Sequence, residues 1–270
     1  MMAQRFKNQT AFITGASSGI GAALACALAR EGACVGLAAR RLDKLEEVRR
    51  KIEEAGGRAV AVACDVTDAA SIRQAVAVVA ETFGGIDVAV ANAGIVITEY
   101  FEHTDTDDFR RLFDTNFFGV VDTIYAVLPY LKKSNGRLGI VSSIMGQIAA
   151  PMDTAYCATK FALGGLAGSL HYELPRGVSL TVILPILVES EICHSDRSAF
   201  GPDGKERTPT FMVVSADRAT RGMVRALHKR RSEAVVPAYG ELIAAASRHF
   251  PRLFRLLVTT WLKPQPPCGR

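Results

Sequence analysis

Seven short apolar runs separated by helical patterns constrain this chain more than any other feature. They are Thr10–Thr14, Cys34–Ala39, Ala59–Cys64, Ile86–Ala91, Leu138–Ser143, Ser179–Leu184 and Ala234–Pro237. Their residues are apolar on both faces, the mark of strands covered on two sides. Between them, Leu42–Ala55 places Leu42, Leu45, Val48 and Ile52 at helical spacing. Asp68–Phe83 opens with an N-cap residue and sets Ile72, Ala75, Val76 and Val79 on one face. Strand and helix in alternation predict a parallel sheet joined by right-handed crossovers, with helices on both faces. With 49% hydrophobic residues the chain can bury a large core. There is no repeat, low-complexity tract or linker rich in Pro, Gly or Ser. The expectation is α/β: a single doubly wound Rossmann domain with a seven-stranded, mostly parallel sheet.

The first run ends in Thr14-Gly15-Ala16-Ser17-Ser18-Gly19-Ile20-Gly21, followed by the helical run Ala22–Arg30. Glycines at a strand-to-helix turn let backbone approach a pyrophosphate, whose charge then meets a helix N-terminus. A tight turn with close helix–sheet packing would use the same residues. Cofactor choice turns on the end of the second run, Leu37-Ala38-Ala39-Arg40-Arg41. An NAD site usually sets an acidic residue there to accept from the ribose hydroxyls. Here no carboxylate is present, and Arg40 offers a planar, permanently charged fork suited to a 2′-phosphate. The reading is NADP(H), with solvated loop charges as its rival.

Tyr156-Cys157-Ala158-Thr159-Lys160 puts a phenol and an ammonium on one helix face. A free tyrosine titrates near ~10, and a neighbouring positive charge favours its phenolate. With the glycine loop, Asn92-Ala93-Gly94, Asn116 and Ser143 thirteen residues before Tyr156, the chain from about Lys7 to Ser190 resembles the short-chain dehydrogenase/reductases. The resemblance implies that Tyr156 exchanges a proton with a carbonyl or alcohol oxygen that Ser143 holds; Ser142 is the less favoured neighbour. It implies that Lys160 binds the nicotinamide ribose, and that Asn116 keeps a water in a proton relay. Cofactor contacts would come from Gly15, Ser17, Ser18, Gly19, Ile20, Gly21, Arg40, Arg41, Asp65, Val66, Asn92, Ala93, Gly94, Tyr156, Lys160, Pro185, Val188 and Ser190. The substrate would be a hydrophobic small-molecule carbonyl or alcohol, and a homo-oligomer, dimer or tetramer, is usual for the family.

One stretch departs from the pattern. Where the family reads Pro-Gly-x-Val-x-Thr, this chain has Pro185-Ile186-Leu187-Val188-Glu189-Ser190. Ile186 removes backbone freedom and adds bulk near the nicotinamide, narrowing the pocket or changing the loop path. The substrate loop is expected at about 191–215, with Ile192, Phe200, Phe211 and Met212 either facing ligand or packing on the next helix. Residues 1–240 form the NADP-binding unit, and 241–270 a C-terminal extension and tail. Two rivals stay open: an NAD-linked dehydrogenase, and a non-catalytic dinucleotide-binding protein.

The six cysteines form no Cys-x-x-Cys pair and have no His cluster beside them. They read as reduced core residues with no metal site, which suits a cytoplasmic protein. The polar residues 1–9 lead straight into the first run, so no targeting segment is expected there. Residues 205–270 hold 13 Lys/Arg against 4 Asp/Glu. No nucleic-acid motif accompanies that charge, so nucleic acid is not an expected partner. In Pro251–Leu262 a stripe of Leu253, Phe254, Leu257, Val258 and Trp261 lies apart from Arg252 and Arg255. Such a helix can lie on an anionic membrane, cover the substrate cleft, pair with another subunit or pack on its own domain.

Overall fold

The computed structural model describes residues 4–188 and 213–261. Its strands are β1 (Thr10–Thr14), β2 (Cys34–Ala39), β3 (Arg58–Ala63), β4 (Val88–Ala91), β5 (Arg137–Val141), β6 (Ser179–Pro185), β7 (Leu187–Val188), β8 (Val213–Val214) and β9 (Glu233–Val236). Seven of them form one parallel sheet in the order β3-β2-β1-β4-β5-β6-β9, and β7 pairs with β8 in a separate ribbon. The helices are α1 (Gly19–Arg30), α2 (Leu42–Glu54), α3 (Ala69–Phe83), α4 (Thr106–Phe113), α5 (Gly119–Ser134), α6 (Thr154–Glu173), α7 (Ala216–His228), α8 (Gly240–His249) and α9 (Pro251–Trp261).

The sheet has the doubly wound form predicted from the sequence. Strand β1 is wholly buried, and its alternate residues serve opposite layers. Ala11 and Ile13 share one core with Leu24 and Leu28 of α1, Leu45 and Val48 of α2, and Met223 and Leu227 of α7. Phe12 shares the other with Ile72, Val76 and Val79 of α3, Val127 and Leu131 of α5, and Leu163 of α6. Each of these side chains larger than alanine contributes about 1.5–3 kcal/mol by leaving water. The chain winds outward from β1 to β3, then crosses back to β4 on the other side of β1. That reversal opens a crevice at the carboxyl ends of β1 and β4, where ligands bind in sheets of this kind.

Several boundaries differ from the sequence expectation. Strand β4 starts two residues late because Asp87 is occupied with Thr10: its carboxylate accepts from the Thr10 amide at 2.8 Å. Strand β5 stops at Val141 because Ser143 caps a short 3₁₀ turn, Ile144–Gly146, by accepting from the Met145 amide at 3.1 Å. Leu42, expected on the buried face of α2, is exposed at its first turn. Asp68 caps α3 as expected, accepting from the Ala70 amide. Asn116 lies in a π-helical turn, Asp114–Phe118, between α4 and α5.

Candidate active site

The loop after β1 depends on the absence of side chains. Gly15 adopts φ +67°, and a Cβ on it would lie 2.8 Å from the Ala93 Cα. A Cβ on Gly21 would lie 2.2 Å from the Gly15 carbonyl oxygen and 2.6 Å from the Asn92 amide nitrogen. This closeness lets the loops after β1 and β4 be laced together. Thr14 Oγ1 accepts from the backbone amides of Asn92 and Ala93 at 3.0 and 3.1 Å. Asn92 Nδ2 donates to the Thr14 and Gly15 carbonyls at 2.9 and 3.3 Å. Asn92 thus braces the glycine loop rather than merely ending a strand.

Ser18 precedes α1 in extended conformation, and its side chain makes no cap hydrogen bond. The first-turn amides of α1 are therefore not taken by their own N-cap, which suits an anion. Arg41 reaches over this loop, donating to Ser17 Oγ at 3.1 Å and Ser18 Oγ at 2.7 Å. Asp65 accepts from the Thr67 amide and hydroxyl at 2.9 and 2.8 Å. Those two donors, helped by the more distant charge of Arg40, hold the Asp65 carboxyl below its ordinary range.

Tyr156 and Lys160 lie one turn apart on α6, the Lys160 ammonium 5.4 Å from the Tyr156 ring centre. Lys160 is buried, and its Nζ donates to the Val141 carbonyl at 3.3 Å. Desolvation pushes its pKa down to about 8. Gly94 gives Asn116 room: a Cβ there would sit 3.2 Å from Asn116 Oδ1, a tight approach, and in ordinary contact with Lys160 Nζ at 3.8 Å. Asn116 itself is wholly buried and held by protein partners. Its Oδ1 accepts from the Ile95 amide at 2.8 Å, and Nδ2 donates to the Ile95 carbonyl at 2.9 Å and Thr159 Oγ1 at 3.3 Å. The π-turn delivers this side chain between the loop after β4 and helix α6, a use such turns often have.

One cleft of about 380 Å³ gathers most of the predicted residues. Gly15, Ser17, Ser18, Gly19, Ile20, Gly21, Arg40, Arg41, Asp65, Val66, Asn92, Ala93, Gly94, Tyr156 and Lys160 all line it. Ser142 lines it as well, whereas Ser143 is buried and is not part of the lining. Pro185 and Val188 are buried outside the lining, and Ser190 lies outside the described residues. The same holds for Ile192, Phe200, Phe211 and Met212 of the expected substrate loop. Sequence reasoning missed Thr67, Ile95, Val96 and Thr115 on the wall, although each adjoins or closely follows a residue it had singled out. Ile186 does not line the cleft. A Cβ on Gly240 would lie 2.2 Å from Ile186 Cδ1, so the isoleucine is seated against the start of α8.

Comparison with known proteins agrees with this geometry. The short chain dehydrogenase family model matches residues 9–200. The 11-beta-hydroxysteroid dehydrogenase 1A of Arabidopsis thaliana is 32% identical over 250 residues, spanning 88% of this chain and 71% of that protein. Oxidoreductase UcpA of Salmonella typhimurium is 37% identical over 215 residues, 77% of this chain and 80% of its own. The X-ray structure of an alcohol dehydrogenase from the archaeon Thermococcus sibiricus, complexed with 5-hydroxy-NADP, superimposes with a TM-score of 0.72 at 31% identity. It covers 84% of this chain and 95% of the other. Sheet order, glycine loop and matched relatives converge: the chain belongs to the short-chain dehydrogenase/reductase family of oxidoreductases.

Proposed function

We propose that this protein is an NADP(H)-dependent oxidoreductase that interconverts a carbonyl and an alcohol on a hydrophobic small molecule, with Tyr156 as acid and base. The observation that carries the reading is that Arg40 and Arg41 line the same cleft as Tyr156 and Lys160. NADP(H) fits the residues present. The Gly15–Gly21 turn lines the cleft at the α1 N-terminus, whose first amides are not taken by the N-cap side chain. Arg40 and Arg41 supply cations where an NAD site would have a carboxylate. Asp65, Val66, Asn92, Ala93 and Gly94 would border the adenosine side, and Pro185, Val188 and Ser190 the carboxamide. When bound, the cofactor gives or takes the hydride.

The protein's own residues handle the oxygen and its proton. Tyr156 gives its phenolic proton to the carbonyl oxygen during reduction and takes it back from the alcohol during oxidation. Ser143 donates a hydrogen bond to that oxygen and fixes its position. Lys160, buried and close to the ring, favours negative charge on the phenol and would hold the nicotinamide ribose. Asn116 acts as a positioning residue, clamping the loop at Ile95 to Thr159 on α6. The relatives named for steroid and alcohol dehydrogenation support a hydrophobic substrate. We assign residues 1–240 to the cofactor-binding unit, about 191–215 to the substrate loop, and 241–270 to an extension.

A panel of hydrophobic aldehydes, aromatic ketones and ketosteroids, assayed by NADPH oxidation, tests the proposal. Turnover of at least one is expected. Tight NADPH binding with no turnover of any carbonyl, nor of the matching alcohols with NADP, would instead indicate a non-catalytic dinucleotide-binding protein. A charge reversal addresses the cofactor. Arg40→Asp is expected to weaken NADPH binding roughly ten- to hundredfold, the worth of one charged hydrogen bond, while NADH binding holds or improves. Equal loss for both nucleotides in a fluorescence titration would show that Arg40 does not read the 2′-phosphate.

A further inference from the structure

The end of the described chain presents an apolar surface that the proposed chemistry does not use. Helix α8 is rooted in the domain: Ala244 is buried, and Gly240 lies against Ile186 and Val235. Helix α9 follows α8 with only Phe250 between them, and its Phe254 and Val258 are half-buried. Its other apolar side chains face outward, with Leu253, Leu256 and Leu257 at 56%, 59% and 50% exposure and neighbouring Phe250 at 64%. Arg248, Arg252 and Arg255, all exposed, stand among them. From residue 241 onward Glu241 is the sole carboxylate side chain, against five Lys/Arg. The hydroxyls of this helix satisfy themselves: Thr259 donates to the Arg255 carbonyl at 2.9 Å and Thr260 to the Leu256 carbonyl at 2.8 Å. They would enter an apolar medium without leaving a donor unpaired.

We propose that α9, together with Phe250, is a peripheral anchor that lies in the surface of an anionic lipid membrane. Exposed leucines and a phenylalanine reach the acyl boundary, and the arginines meet the headgroups, the pattern of an interfacial helix. A second copy of this chain fits the face less well. Two-fold pairing through this face would gather the three arginines of each copy in one interface, with no carboxylate on α9 to meet them. Among the described residues no helix is long and apolar enough to cross a membrane, so the association is with the surface. The anchor is independent of the catalytic proposal. Through Gly240 and Ile186 it is rooted beside the segment that follows β6.

Sedimentation of the full chain with vesicles tests this. Binding to phosphatidylglycerol/phosphatidylcholine vesicles is expected to exceed binding to phosphatidylcholine alone at least tenfold and to weaken in high salt. Each arginine near such a surface contributes about fivefold, so Arg248→Glu/Arg252→Glu/Arg255→Glu, which also adds three negative charges, should reduce it by more than about a hundredfold. Leu253→Ser/Leu256→Ser/Leu257→Ser should abolish sedimentation, with far-UV circular dichroism and NADPH binding unchanged. The chain's single tryptophan, Trp261, ends α9, so its emission should shift to the blue on vesicle addition without any substitution. The proposal fails if sedimentation is absent, is indifferent to lipid charge, or survives in both triple variants. It also fails if vesicles leave the emission unmoved while the leucine variant dissociates a dimer.

Discussion

Replacing Tyr156 with phenylalanine is expected to lower kcat/KM for carbonyl reduction by about a thousandfold, within the 10²–10⁴ that a positioned acid contributes. The ring, its place on α6 and its contact with Lys160 remain, while the one proton the carbonyl oxygen needs is lost. NADPH affinity should stay within about twofold, because the loops after β1 and β2 are untouched. Steady-state kinetics paired with a binding titration separates the two effects. A matching loss of NADPH affinity would mean that Tyr156 serves the cofactor site. Retained turnover would remove it from the chemistry.

Replacing Lys160 with methionine should also suppress turnover, yet make the protein more stable at neutral pH. The lysine is buried, and desolvation alone takes its pKa from 10.5 to about 8. A folded pKa below the unfolded one means that the unfolded chain binds more protons between those values, so stability rises with pH across that window. Below pH 8 both states carry the charge, and the fold bears the full desolvation cost. The shift corresponds to about 3 kcal/mol. Methionine fills similar volume without charge, so urea denaturation at pH 7 should show a gain of ~1–3 kcal/mol. That gain should shrink as pH rises from 8 toward 10.5. A variant less stable than the parent at pH 7 would show that the ammonium stabilises the fold. A site that keeps a destabilising cation is one where function outweighs stability.

Which parts could be read from the sequence follows from how local their causes are. The bounds of β1 and β2 are set by unbroken apolar runs, and Asp68 by a cap that acts on its own first turn, so the residues suffice. The π-turn at Asn116 adds one residue to a helical turn, a change that apolar periodicity does not register. The setting of Ile186 depends on Gly240, far along the chain, and could not be inferred from the loop motif it interrupts. The link from Arg41 to Ser17 and Ser18, and the lacing of Thr14 to Asn92, join separate strand ends that only the folded sheet brings together. In α9 the stripe was legible but its use was not: Phe254 and Val258 are half-buried while Leu253 and Leu257 of the same stripe stay exposed.

We propose that this cleft selects NADP(H). That selectivity is tested most directly by titrating the purified protein with NADPH and NADH side by side at fixed salt, following nicotinamide fluorescence. NADPH is expected to bind at least tenfold more tightly than NADH, by about 1.4 kcal/mol. Equal affinities, or a preference for NADH, would contradict the assignment of Arg40 and Arg41 to the 2′-phosphate and turn the search toward an NAD-linked alcohol dehydrogenase.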